Sequence, residues 1–155
     1  MENVSKREGA INLIVNKWRL LVAATLLTGL TACGELPYNN ISNEQLHAML
    51  KQDVPIYDIR RAEEWLETGV VEGSELSTFV DADGRVIPGF LEEFTAQNKK
   101  DEPVILICRT GSRTRTLARY LSEELGYTQV YNVRNGITQW ISHGHPVEKK
   151  GSRLN

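Results

Sequence analysis

Four consecutive apolar residues, Val104-Ile105-Leu106-Ile107, run without a polar gap into Cys108-Arg109-Thr110-Gly111-Ser112-Arg113. A run this short and this rich in β-branched residues predicts a strand buried on both faces. Strands with no polar side belong to parallel sheets covered by helices above and below. Beyond the glycine, Arg113 to Leu125 has helical spacing, with Leu117, Tyr120, Leu121 and Leu125 on one face and Gly126 as the stop. This strand–loop–helix unit is the strongest constraint on the fold.

The flanking sequence repeats the alternation. Ser42-Asn-Glu-Gln45 is a capping box that opens a helix, and Ile41, Leu46, Met49 and Leu50 supply its apolar face. Val54 to Ile59 predicts a short buried strand, and Arg61 to Glu67 a helix stopped by Gly69. Asp81 to Gly84 is a turn, Pro88 to Gln97 a helix with Pro88 in its first turn, Gln129 to Val133 a strand and Ile137 to Ile141 a last helix. The expectation is an α/β domain over residues 38–150, with a mainly parallel central sheet, helices on both faces and a short tail at 151–155. Sites in such sheets form at the carboxyl ends of the strands, which points to Asp58 and Cys108.

The first 32 residues read as an address. Lys6, Arg7, Lys17 and Arg19 precede the uncharged run Leu20 to Leu30. As a helix that run would be about 16 Å long, too short for roughly 30 Å of bilayer hydrocarbon. A basic flank, a short apolar run and small residues after it predict an export signal. The run ends Leu30-Thr31-Ala32-Cys33, which resembles the lipobox of bacterial lipoproteins. That resemblance implies cleavage before Cys33, acylation of Cys33, and a tether over 33–37 that holds the domain on the periplasmic side of the envelope. Gly34 after the cysteine implies the outer membrane in a Gram-negative cell. Several acyl chains anchor firmly where one binds marginally. Ordinary signal cleavage near Ala32 is the alternative. The chain carries 18 basic against 20 acidic residues, and 14 against 18 without its first 32 residues, so no basic face for nucleic acid is expected.

The chemistry is expected in the loop after the central strand. A thiol at Cys108 faces the amino end of the following helix, where unpaired N–H groups and the dipole favour an anion. Arg109 and Arg113 add positive charge and Gly111 permits a φ above zero. These influences favour the thiolate near neutral pH. The same N–H groups would hold a second anionic group bonded to the sulfur. The plain alternative is a small apolar residue that ends a buried strand. No Cys-x-x-Cys is present, and a lipidated Cys33 would leave Cys108 without a resolving thiol.

Across roughly Ile41 to Lys149 the sequence resembles the rhodaneses, the single-domain sulfurtransferase family. The resemblance rests on Tyr57-Asp58-Ile59-Arg60 with Glu63-Glu64-Trp65, on the loop Cys108 to Arg113, on Gly126-Tyr127, and on Asn135-Gly136, Trp140, Gly144 and Pro146-Val147. It implies a three-layer rhodanese-like fold and sulfur transfer from a donor such as thiosulfate to cyanide or a thiol. In this scheme Cys108 carries a persulfide, and the loop of Arg109, Thr110, Gly111, Ser112 and Arg113 cradles it. Neither cofactor nor metal is implied. Related phosphatases and arsenate enzymes use Cys-x5-Arg, one residue longer, whereas the sixth position after Cys108 is Thr114. A non-catalytic binding module of the envelope is the remaining alternative.

Two-domain thiosulfate enzymes carry an arginine where this chain has Glu64, and an inward carboxylate there would repel thiosulfate. Gly69 to Ser74 also departs from the family pattern, in a segment that supports the sheet. Asp58 and Arg60 are expected to support the pocket, as a strand-end ion pair or, for Arg60, as a direct contact to the donor. Arg109 is expected to project outward and Arg113 to brace the loop. His143 and His145 lack the further ligands that a metal site needs, His47 reads as solvated, and Trp65 and Trp140 fit core positions.

Overall fold

The computed structural model describes residues 34–150. The expected export segment over 1–32, Cys33 and the tail at 151–155 lie outside the described residues. The order is β1 (Asn39–Ile41), α1 (Asn43–Leu50), β2 (Ile56–Asp58), α2 (Ala62–Thr68), β3 (Glu75–Leu76), α3 (Phe90–Gln97), β4 (Val104–Ile107), α4 (Ser112–Glu123), β5 (Val130–Val133) and α5 (Gly136–Ser142). The strands form one sheet in the order β1-β5-β4-β2-β3, every neighbouring pair parallel. Among the described residues no helix is long and apolar enough to cross a membrane.

β4 is central, and its side chains divide between two cores as a two-residue period requires. Val104, Leu106 and Cys108 pack with Phe90 and Phe94 of α3 and with Leu117, Ala118 and Leu121 of α4. Ile105 and Ile107 pack on the other face with Leu46 of α1 and with Ile137 and Trp140 of α5. Helices therefore cover both faces, and every residue of β4 is buried.

Ser42 caps α1 reciprocally: its Oγ accepts from the Gln45 N–H at 3.3 Å, and Gln45 Oε1 accepts from the Ser42 N–H at 2.9 Å. β2 is shorter than the predicted 54–59, yet its ladder continues at both ends. The Ile105 N–H donates to the Pro55 carbonyl at 2.9 Å, and the Ile59 N–H to the Ile107 carbonyl at 3.0 Å. The short edge strands β1 and β3 carry no sequence signal of their own. Their Asn39-Asn40 and Glu75 pair because a neighbouring strand offers free backbone groups.

Two local expectations are corrected. Pro88 lies before α3, because Gly89 takes a left-handed conformation (φ 84°) and the helix starts at Phe90. Tyr120 is 42% exposed. The buried stripe of α4 centres on Thr114, Leu117, Ala118 and Leu121, and Tyr120 falls beyond its edge.

Candidate active site

Cys108 leaves β4 at the carboxyl end of the sheet, beside the ends of β2 and β5, with its side chain fully buried. The loop after it is locked to the start of α5 by backbone contacts. The Ile137 N–H donates to the Cys108 carbonyl at 2.9 Å and the Thr138 N–H to the Arg109 carbonyl at 3.1 Å. Thr138 Oγ1 also donates to the Arg109 carbonyl, at 2.8 Å. With those carbonyls engaged, the backbone N–H groups of Arg109 through Thr114 have no acceptor among the described residues. This row of amides at the amino end of a twelve-residue helix is suited to an anion.

Two glycines make the close approach possible. Gly111 has φ +82°, and a Cβ there would stand 2.1 Å from the Arg134 carbonyl oxygen. Gly136 has φ +60°, and its Cβ would stand 2.3 Å from the Cys108 carbonyl oxygen. Any side chain at either position would force the two loops apart.

Arg113 turns back from the loop onto α2. Its Nη1 and Nη2 donate to Glu64 Oε2 and Oε1, each at 2.7 Å. Burial opposes ionisation of Glu64, but hydrogen bonds from Arg113 and from the Arg61 N–H outweigh it and lower its pKa to about 2. Arg113 is correspondingly raised, first by the Glu64 hydrogen bonds and against the opposing effect of burial. The Glu64 carboxylate is thus matched by a cation.

Arg60 and Asp58 form a fully buried pair at the end of β2, Nη2 to Oδ2 at 2.7 Å. Arg60 Nε donates to Asp58 Oδ1 and Oδ2 at 2.9 and 3.0 Å. Its remaining donors reach the Glu64 carbonyl (3.2 Å), Thr68 Oγ1 (2.7 Å) and the Gly69 carbonyl (2.7 Å). Every guanidinium donor is engaged, so Arg60 has none left for a donor anion. Its geometry is that of a brace joining β2 to α2.

Arg109, Thr110 and Ser112 are exposed. Arg109 borders a cavity of about 230 Å³ that Glu67, Thr68, Ile137, Thr138 and Ile141 also line. Beneath the loop, Cys108 Sγ lies 3.4 Å from Thr114 Oγ1, which donates to Asn132 Oδ1 at 2.5 Å. Asn132 Nδ2 donates in turn to Asn40 Oδ1 at 2.7 Å. Sequence reasoning did not anticipate Thr114 as the partner of the thiol or Asn132 as the partner of Thr114. The available signal was a hydroxyl on the buried stripe of α4, one turn before Leu117. The histidines lie elsewhere: His145 stacks on the Trp140 ring at 4.2 Å, His47 lies 5.9 Å from that ring, and His143 lies 6.4 Å from His145.

Residues 42–143 match the family model of the rhodanese-like domain. The chain is similar to a sulfurtransferase of Allochromatium vinosum, 32% identical over 111 residues that cover 70% of this chain and 94% of the relative. It is also similar to the thiosulfate sulfurtransferase GlpE of Coxiella burnetii, 27% identical over 71% of this chain and 92% of the relative. The crystal structure of a rhodanese-related protein from Thermoplasma volcanium superposes with a TM-score of 0.56 at 25% identity, covering 73% of this chain and 100% of that one.

Proposed function

Because the chain belongs to the rhodanese-like domain family, we propose that it is a sulfurtransferase that works through a persulfide on Cys108. The observation that carries this reading is the row of amides from Arg109 to Thr114, unpaired among the described residues, directly after the Cys108 thiol. A persulfide places negative charge on its outer sulfur, and such a row holds that charge without a counterion.

Transfer takes two displacements. Cys108 thiolate attacks the outer sulfur of a donor such as thiosulfate, whose S–S bond breaks as sulfite leaves with the electron pair. An acceptor, cyanide in an assay or a thiol in the cell, then attacks the outer sulfur of the persulfide. The Cys108 thiolate leaves and is restored. Every group in this cycle is supplied by the chain, the donor and the acceptor. Arg109 meets the anionic donor at the exposed rim, while Arg113 and Arg60 hold the loop and the end of β2 in place. The Glu64–Arg113 pair removes the repulsion that a free carboxylate would impose on thiosulfate, and thiosulfate is therefore a fitting donor. The loop is one residue shorter than the Cys-x5-Arg cradle, and Thr114 turns under the thiol instead of toward an oxyanion. Both features favour sulfur over phosphate or arsenate.

The test uses purified protein with thiosulfate and cyanide. Thiocyanate release, a gain of one sulfur atom in intact mass, and loss of both in Cys108→Ser are the expected results. No release and no mass gain with any sulfane donor would overturn the reading.

One observation favours a second reading, a binding module. Cys108 is fully buried, as a purely structural cysteine would be. If the cellular phenotype survives Cys108→Ser, binding is the role. We further propose that the domain acts at the cell envelope, anchored through lipid on Cys33, on the strength of the Leu30–Cys33 motif after the apolar run.

A further inference from the structure

Thr114 carries one hydroxyl proton and has two neighbours that can use it. Asn132 Oδ1 lies 2.5 Å from Thr114 Oγ1, and between two oxygens at that separation the proton must belong to the bond. Asn132 is fixed from behind, since its Nδ2 donates to Asn40 Oδ1 at 2.7 Å and its side chain is buried. Toward Cys108 Sγ, at 3.4 Å, Thr114 therefore presents a lone pair. The thiol S–H is then the donor of that contact.

A thiolate at Cys108 has no proton to give and needs one to accept. When the S–H proton leaves for water, the Thr114 hydroxyl can serve the sulfur only by rotating away from Asn132. That rotation strands a buried carbonyl oxygen, which is costly. A persulfide has no such need, because its inner sulfur is covalently capped and the charge sits on the outer sulfur, among the loop amides.

We propose that Thr114 is a positioning residue whose single proton is contested between Asn132 and Cys108, so that Asn132 favours the states in which the inner sulfur is capped, by a proton or by a second sulfur. The use of this device in holding transferred sulfur rests on the sulfurtransferase reading; its effect on the thiol does not. The charged groups around Cys108 are Arg109 and Arg113 of its own loop, the Asp58–Arg60 pair at the end of β2, and Glu64 of α2, which holds Arg113. None is altered by the substitutions that probe Thr114 and Asn132.

The experiment follows thiolate absorbance of the full-length chain against pH, with each variant referred to the same variant carrying Cys108→Ser. This readout needs neither a sulfur donor nor access to the buried thiol, so it is independent of sulfur-transfer activity. Thr114→Val removes the oxygen that accepts from the thiol S–H and turns a lone pair toward the thiolate, and it shifts the midpoint downward by about one pH unit, the size expected for a lost hydrogen bond to the neutral form. Thr114→Ser restores the wild-type midpoint. Asn132→Ala frees the Thr114 proton for the thiolate and shifts the midpoint downward. Circular dichroism checks that each variant is folded, and if Asn132→Ala is not, the Val and Ser variants decide between themselves. An unmoved or upward midpoint in Thr114→Val, a failure of Ser to restore it, or an unmoved or upward midpoint in folded Asn132→Ala would each overturn the proposal.

Discussion

Glu64 grips Arg113 through both carboxylate oxygens at 2.7 Å, and so joins α2 to the loop that follows Cys108. The two residues stand 49 positions apart in the chain. Planar, two-bond pairing of this kind fixes direction as well as charge. The Glu64 side chain is 8% exposed and that of Arg113 23%, so water screens the pair only partly.

The pair gives stability a defined acid limb. Glu64 ionises at about 2 in the fold, against an ordinary value of 4.5. Its contribution is fully present above about pH 4.5 and fades as pH falls from there toward about 2. Glu64→Gln cannot titrate and lacks that limb. Urea unfolding of the two proteins should show a constant gap at neutral pH that narrows through this window. A gap that stays constant down to about pH 2 would show that the pair does not hold Glu64 ionised.

The buried Asp58–Arg60 pair predicts a large cost for breaking it from one side. Asp58→Ala leaves the Arg60 guanidinium in the interior without its counter-charge, and about 3–5 kcal/mol of stability should be lost. Urea midpoints at pH 7 measure it. A loss below about 1 kcal/mol would mean that water or rearrangement satisfies Arg60 instead.

Gly111 and Gly73 have similar backbone angles, φ +82° and +77°, but different surroundings. A Cβ at Gly73 meets nothing within 4 Å, whereas one at Gly111 meets the Arg134 carbonyl at 2.1 Å. Gly73→Ala should cost only the left-handed strain, about 1–2 kcal/mol. Gly111→Ala should cost more and also abolish sulfur loading of Cys108. Equal costs in thermal unfolding would mean that the two loops are not locked together.

Arg109 is exposed and makes no side-chain hydrogen bond among the described residues. If it receives an anionic donor, Arg109→Ala should raise the KM for thiosulfate about tenfold, the loss of one charge-assisted contact. The unfolding midpoint should not move. An unchanged KM would exclude Arg109 from the donor site.

Lipid on Cys33 predicts that the chain isolated from bacterial membranes begins at Cys33 and carries the mass of its acyl chains. Cys33→Ala should release the domain to the soluble periplasmic fraction. Mass spectrometry of the native protein and fractionation of the variant check the two halves of this expectation.

Much of this architecture is written locally. The uninterrupted run Val104 to Ile107, the glycine after Cys108 and the apolar spacing of Leu117 and Leu121 each act over a few residues, and the fold follows them closely. Pro88 and Tyr120 show where local signals mislead. A left-handed glycine displaced the start of one helix, and a buried threonine shifted the apolar stripe of another. β1 and β3 were silent in sequence because short edge strands take their conformation from the strands beside them.

The sequence by itself determined a covered parallel sheet and a lone thiol at the head of a helix, since strand and helix periodicity, turns and caps depend on near neighbours. Only the tertiary structure decided what surrounds that thiol. The register that sets Leu106 opposite Asn132 helps place the asparagine for Thr114. The packing of α2 over the loop gives Arg113 its carboxylate. Such partners meet through the sheet, across chain separations that no periodicity spans.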